Sequence, residues 1–208
     1  MLHSKAVQPA TLALLKKITS QGEFNDFALG RGTNLALRYG HRFSVDLDFF
    51  TSTAYNNSLI LNAIIKKFPS AELLFEQNQT MLFIIDDVKV DFVLYPFTWL
   101  YPFETIENVR LISVQDIIPM KLQAVSNRFS KKDFWDIVYL LKQYNLDQMI
   151  EIFKTKFPQI DAGFIIHSLT NFADAENQLD PDSFDNTTWD EIKKALSNAV
   201  LDFTKKSI

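Results

Sequence analysis

The stretch Gly30–Phe50, GRGTNLALRYGHRFSVDLDFF, decides how the chain reads. It opens on two glycines around Arg31 and closes on Asp46 and Asp48, two carboxylates one residue apart in an apolar run. Carboxylates are rarely buried without a partner. Ser44–Phe50 reads as a strand, in which side chains alternate between faces. Asp46 and Asp48 then project together, while Val45, Leu47 and Phe49 point to the other face. Adjacent carboxylates repel, and a divalent cation removes that cost; oxygen donors suit Mg²⁺. A plain solvent-facing strand with alternating polarity fits the same pair.

A third carboxylate with the same setting is Asp91, in VKVDFVLY. If its strand lies beside Ser44–Phe50, three carboxylates converge, which suits two Mg²⁺ ions in phosphoryl or nucleotidyl transfer. The turn Gly30-Arg31-Gly32-Thr33 precedes a short helix. Glycines there let backbone amides approach a phosphate, and the helix start adds donors. A tight strand–helix turn explains the same residues without a ligand.

Outward from this stretch, the composition is that of a globular chain. The 208 residues are 47% hydrophobic and 22% charged, enough to bury a sizeable core. Nineteen phenylalanines make that core aromatic. The net charge of −4 gives no global positive field, so binding to a polyanion needs a local basic face or bridging metal ions. The absence of cysteine excludes disulfides and thiolate metal sites. No stretch reaches the roughly 18 apolar residues of a membrane span, and the chain reads as cytoplasmic with no membrane partner.

Pro9 and TLALLKKITSQ predict a first helix. Phe24–Leu29 predicts a short strand, and Thr33–Tyr39 a helix stopped by Gly40. Asn56-Asn57-Ser58 caps a helix through Lys67. Ala71–Gln77, Thr80–Ile85 and Val88–Tyr95 predict an antiparallel meander turning at Asn78-Gln79 and Asp86-Asp87. Arg110–Ile112 adds a short strand. From Ser113 the pattern turns helical. SVQD opens a helix to about Asn127, Ser130 caps a second, and others cover Leu146–Lys156, Asp161–Phe172 and Thr188–Lys205. Asn177–Asn186 is a polar loop. The fold class is therefore α+β, with an α/β core over 1–112 and a helical bundle over 113–208.

These residues resemble a known pattern. A glycine turn, a short helix, a strand with D-x-D and a third Asp on a later strand is similar to the DNA polymerase β-like nucleotidyltransferase superfamily. More narrowly, LGRGTNLALRYGHRFSVDLDFF resembles the AbiEii/AbiGii toxin family segment L-x-GGT-A-L-A-L-x-x-GHR-x-S-x-DLDFF. DIIPMKLQAVSNRFSKKDFWDIVYLL resembles that family's helix pair. The matching segments span 27–50, 88–93 and 113–141. The resemblance implies a metal-dependent nucleotidyltransferase acting as a toxin of a type IV toxin–antitoxin or abortive-infection system. Its implied partners are an NTP, the 3′ end of tRNA and a cognate antitoxin. It further implies that Asp46, Asp48 and Asp91 bind two Mg²⁺ ions, with Asp91 the candidate base. Gly32 and Thr33 would contact nucleotide phosphates, and Lys121 the triphosphate, with Asp133 and Asp136 on the second helix of the pair. Arg31 departs from the pattern, standing where the family carries glycine.

Other residues allow two readings. Arg42 could grip a phosphate with two nitrogens or pair with a carboxylate, and His41 could act beside it or pack at a helix end. Lys121, Arg128, Lys131 and Lys132 could form the local basic face or a solvated helix face. Asp133 and Asp136 share a helix face and could serve the nucleotide or pair with nearby cations. The run Tyr95–Phe103 could stack bases or form a packed, rigid loop. Two rival functions stay open: transfer to a small molecule of the antibiotic type, and a non-catalytic module that binds nucleotide or a partner.

Overall fold

The computed structural model describes residues 1–206, which fall into two compact units. The first takes in residues 1–40 and 44–113. Its elements are α1 (Pro9–Thr19), β1 (Ala28–Leu29), α2 (Arg31–Tyr39), β2 (Leu47–Thr51), α3 (Asn57–Lys67), β3 (Glu72–Gln77), β4 (Thr80–Ile85), β5 (Val88–Leu94), β6 (Glu104–Ile106) and β7 (Val109–Leu111). Pro9 sits at the first turn of α1, where its missing N–H costs nothing. The Asn56 side chain accepts from the Ser58 N–H and caps α3. Gly40 ends α2 at φ +60°, a left-handed position where a Cβ would also meet His3 Nδ1 at 2.6 Å.

The seven strands form one mixed sheet in the order β3-β4-β5-β2-β1-β7-β6. β2 runs parallel to β5, and β1 parallel to β7; the remaining neighbours are antiparallel. Period-two alternation splits β2 between two environments. Phe49 is the register partner of Phe92, and their rings stack at 5.3 Å. Phe92 also meets Phe24, Phe27 and Phe83 at 5.3, 5.2 and 6.2 Å, so one ring joins much of the apolar core. The residues beside Phe49 and Phe92, Asp48 and Asp91, are register partners on the opposite face.

The three antiparallel hairpins turn on Asn78-Gln79, Asp86-Asp87 and Glu107-Asn108, all with positive φ between 48° and 65°. Two-residue turns of this kind match the right-handed twist of the flanking strands.

The second unit takes in His41–Phe43 and the chain from Val114 onward. Its helices are α4 (Val114–Arg128), α5 (Lys131–Leu141), α6 (Leu146–Lys156), α7 (Ala162–Ser168) and α8 (Trp189–Lys206). Trp135 of α5 stacks on Trp189 of α8 at 5.8 Å, and Phe134 packs between Phe172 and Trp189 at 5.5 and 5.6 Å. Asn145 and Gln148 close a capping box at the start of α6. Asp116 in the first turn of α4 is buried and binds Lys156 at 2.6 Å. The segment 41–43 is held as a short extended piece. Arg42 bridges Ser183, the Phe43 N–H donates to Asp182 O at 2.8 Å, and the Phe184 N–H donates to His41 O at 3.1 Å. No helix among the described residues is long and apolar enough to cross a membrane.

Several elements differ from the sequence expectations. β2 begins at Leu47, not Ser44, because the residues before it have partners outside the ladder. The Ser44 N–H donates to Ala6 O at 2.8 Å, and Thr33 Oγ1 bonds both Ser44 Oγ and the Asp46 carbonyl. α2 begins at Arg31, two residues earlier than expected. β1 shrinks to two residues after a 3₁₀ turn at Gly22–Phe24. α7 stops at Ser168, not Phe172. β6 lies past a proline-bearing run that reads as loop.

Candidate active site

The site grows from the β2–β5 pair. Parallel pairing places Asp48 beside Asp91, on the face opposite the Phe49–Phe92 stack. Both carboxylates are buried, and each meets one protein cation. Arg31 Nη1 donates to Asp48 Oδ1 at 2.8 Å, and Lys89 Nζ donates to Asp91 Oδ2 at 3.1 Å. Among the described residues, Oδ1 of Asp91 is buried and has no hydrogen-bond partner. Burial pushes the Asp91 carboxyl above the usual carboxylate range; the Lys89 ammonium opposes this and the Asp48 charge adds to it. Burial pulls Lys89 down, but Asp91 outweighs it and leaves the ammonium above its ordinary value.

The backbone of the glycine turn is tied to the same spot. The Gly30 N–H donates to Asp48 O at 2.8 Å. A Cβ at Gly30 would lie 2.7 Å from Phe50 Cδ2 and 2.9 Å from Ile112 Cδ1, so close packing requires glycine. Arg31 follows with φ 52°, and its guanidinium lies over the Phe50 ring at 5.0 Å from the centroid. Gly32 and Thr33 are buried in the first turn of α2. The Thr33 hydroxyl is engaged by Ser44 Oγ at 2.8 Å and by the Asp46 carbonyl, which fixes the segment that leads into β2.

Asp46 precedes the strand and is half-exposed. The strand therefore starts after Asp46 and not before it, while the Asp46 charge acts on Lys89 together with those of Asp91 and Asp48. Among the described residues, no group of three or more His, Asp or Glu side chains is placed to hold a metal ion. The arrangement is a carboxylate pair with Asp46 two residues before Asp48. A pair of hard oxygen donors, one carrying an unpartnered buried oxygen, fits a divalent cation.

A second cluster lies within the helical unit and gathers the remaining candidates. Asp136 accepts from Arg42 Nε and Nη2 at 2.8 and 3.0 Å, from His41 Nε2 at 2.7 Å, and from Lys121 Nζ at 2.5 Å. Asp133 accepts from Lys121 Nζ at 2.9 Å and from Arg128 Nε and Nη2 at 2.6 and 2.8 Å. Burial would raise Asp136, but Arg42 and Lys121 dominate and hold it well below the usual carboxylate range. Lys121 and Arg128 do the same to Asp133 against its burial. Burial lowers His41 below its ordinary value despite the Asp136 contact, so the neutral ring donates from Nε2. Arg42 thus grips a protein carboxylate with two nitrogens, and Lys121 lies between two. The helix spacing put Asp133 and Asp136 on one face. The pairing of His41 and Arg42 with Asp136 depends on contacts about 95 residues apart in sequence, which no local pattern announces.

The aromatic run forms a packed ladder. Tyr95 stacks on Trp99 at 5.0 Å and meets Phe97 at 5.1 Å and Phe50 at 6.0 Å, and Trp99 meets Phe103 at 5.5 Å.

Comparison with known proteins bears on this geometry. The family model described as nucleotidyl transferase AbiEii toxin, type IV TA system, matches residues 13–206. An uncharacterized protein of Aquifex aeolicus (strain VF5), aq_aa25, is 32% identical over 194 residues, covering 91% of this chain and 93% of that protein. The crystal structure of JHP933 from Helicobacter pylori is similar with a TM-score of 0.61 at 18% identity, covering 96% of this chain and 94% of that one. MenT4, the nucleotidyltransferase toxin Rv2826c of Mycobacterium tuberculosis H37Rv, is similar with a TM-score of 0.57 at 12% identity, covering 91% and 81%.

Proposed function

Since the chain belongs to the AbiEii nucleotidyl transferase toxin family, we propose that it transfers a nucleotidyl group from an NTP to a hydroxyl at the 3′ end of tRNA. In this reading it is the toxin of a type IV pair whose antitoxin restrains it. The observation that carries the chemistry is the Asp48–Asp91 pair, buried side by side with Oδ1 of Asp91 unpartnered.

The acceptor oxygen forms a bond to the α-phosphorus, the bond to the β-phosphate oxygen breaks, and pyrophosphate leaves. Asp46, Asp48 and Asp91 would hold Mg²⁺, which neutralises charge developing on the phosphoryl oxygens. Asp91 is the candidate base for the hydroxyl proton. The first turn of α2, with Gly32 and Thr33, offers backbone N–H donors to the phosphates. The Thr33 hydroxyl acts indirectly, by fixing the backbone at Asp46. In the helical unit Lys121, Arg42 and Arg128 face Asp133 and Asp136, three cations to two anions.

The test is transfer of label from each of the four α-labelled NTPs to total tRNA with Mg²⁺, comparing wild type with Asp48→Asn. Label on tRNA from wild type alone supports the reading and names the nucleotide. No label from folded wild type would overturn the tRNA acceptor and turn attention to small-molecule hydroxyls. Equal label from Asp48→Asn would overturn the carboxylate site.

A further inference from the structure

Arg31 has a backbone that side chains avoid and a side chain with a definite destination. Its φ of 52° lies in the left-handed region, where a Cβ is strained. The guanidinium nevertheless reaches back to Asp48 Oδ1 at 2.8 Å and rests on the Phe50 ring at 5.0 Å. Phe50 lies two residues beyond Asp48, so both contacts sit on one face of β2. The Asp48 side chain is 11% exposed and the Arg31 side chain 39%, so the arginine closes the carboxylate from the solvent side. Its guanidinium donates to one of the two Asp48 oxygens that a metal ion would use.

Building on the reading above, we propose that Arg31 is an internal counter-cation that competes with the divalent metal ion for Asp48. In the nucleotide-free protein the guanidinium balances the Asp48 charge. A metal ion must displace it, and the half-exposed side chain can swing outward while the buried carboxylate stays in place. The swing starts from the turn that leads into α2, so the displaced guanidinium stays at the site as a planar donor for phosphoryl oxygens. Arg31 is thus a positioning residue: it sets the affinity of the empty site for metal.

The experiment titrates Mn²⁺ into the full nucleotide-free chain and reads free Mn²⁺ by electron paramagnetic resonance. Wild type is compared with Arg31→Asn, Arg31→Gly and Asp48→Asn. Asparagine and glycine both tolerate the left-handed backbone, so the two Arg31 variants remove the cation without adding strain. Both should bind Mn²⁺ about tenfold or more tightly than wild type, the size of effect that a neighbouring opposite charge has on a carboxylate's hold on a proton. Asp48→Asn should lose the site. Unchanged or weaker binding in the Arg31 variants, with wild type still binding through Asp48, would overturn the role of Arg31 alone. No Asp48-dependent binding in any chain would overturn the metal site and this inference with it.

Discussion

Asp48 and Asp91 are register partners on adjacent parallel strands, and each is met by one protein cation, Arg31 and Lys89 respectively. The sheet thus brings together two carboxylates 43 positions apart in the chain and leaves one oxygen of Asp91 without a partner. Burial that raises an acid's pKa penalises its ionised form, so at neutral pH the Asp91 charge works against folding. Asp91→Asn should therefore leave the melting temperature unchanged or higher. It should lower nucleotidyl transfer about 10²–10⁴-fold, the usual loss on removing a general base. Thermal melts beside the tRNA-labelling assay check both; a lower melting temperature would show that the carboxylate stabilises the fold.

Asp136 has a different energetic position. Four donor contacts from Arg42, His41 and Lys121 converge on it in the buried interior of the helical unit. Removing its charge strands Arg42 and leaves Lys121 with Asp133 alone, and breaking a buried ion cluster from one side costs about 3–5 kcal/mol. Asp136→Asn should show that loss in urea unfolding followed by tryptophan fluorescence, since Trp135 and Trp189 stack in the same unit. Arg128 is 44% exposed at the side chain, and Arg128→Ala should cost far less, about 1 kcal/mol.

The same cluster fixes how the helical unit responds to acid. His41 sits below its ordinary value of 6.5, so below that pH the unfolded chain takes up a proton that the folded one refuses, and stability falls. Asp133 and Asp136 sit below 3.8, so their stabilisation is complete above that value and is lost as the pH falls through their folded values. Urea midpoints should decline in two stages, first below pH 6.5 and then below about pH 4. His41→Gln should remove the first stage and keep the second.

Much of this was legible in the sequence. The hairpin turns at Asn78-Gln79 and Asp86-Asp87, the capped helix after Asn56 and the helices from Ser113 onward follow from turn chemistry and periodicity. The D-x-D and the apolar setting of Asp91 pointed to two neighbouring strands, and β2 and β5 are neighbours. What failed was local: the strand start at Leu47 is set by Thr33 and Ala6, which bond to the preceding residues from elsewhere in the chain. Likewise, whether Arg42 and Lys121 meet a phosphate or a protein carboxylate turns on tertiary contacts that residue spacing does not encode.

Gly30 offers a test of packing at the site. A methyl group there would press on Phe50 Cδ2 at 2.7 Å and Ile112 Cδ1 at 2.9 Å, and Phe50 is the ring on which Arg31 rests. Gly30→Ala should cost about 1–3 kcal/mol, the usual price of overpacking. The φ at this position is −120°, so backbone strain adds nothing. A truncation of Phe50 that makes room should recover part of the loss in a double-mutant cycle; strict additivity would show that the methyl group meets something else.

Thr33 separates two ways a residue at a helix start can serve a site. Its N–H belongs to the first turn of α2, while its hydroxyl bonds Ser44 Oγ and the Asp46 carbonyl. If the hydroxyl's task is to fix the segment before β2, serine should replace it and valine should not. Thr33→Val leaves the part-buried Asp46 carbonyl short of a donor and the Ser44 hydroxyl short of an acceptor, at about 1–3 kcal/mol. It should also lower transfer, since Asp46 loses its tether. Thr33→Ser should stay near wild type in both stability and transfer. Were valine to leave transfer intact while lowering stability, Asp46 would not depend on that tether, and the site would rest on the Asp48–Asp91 pair alone.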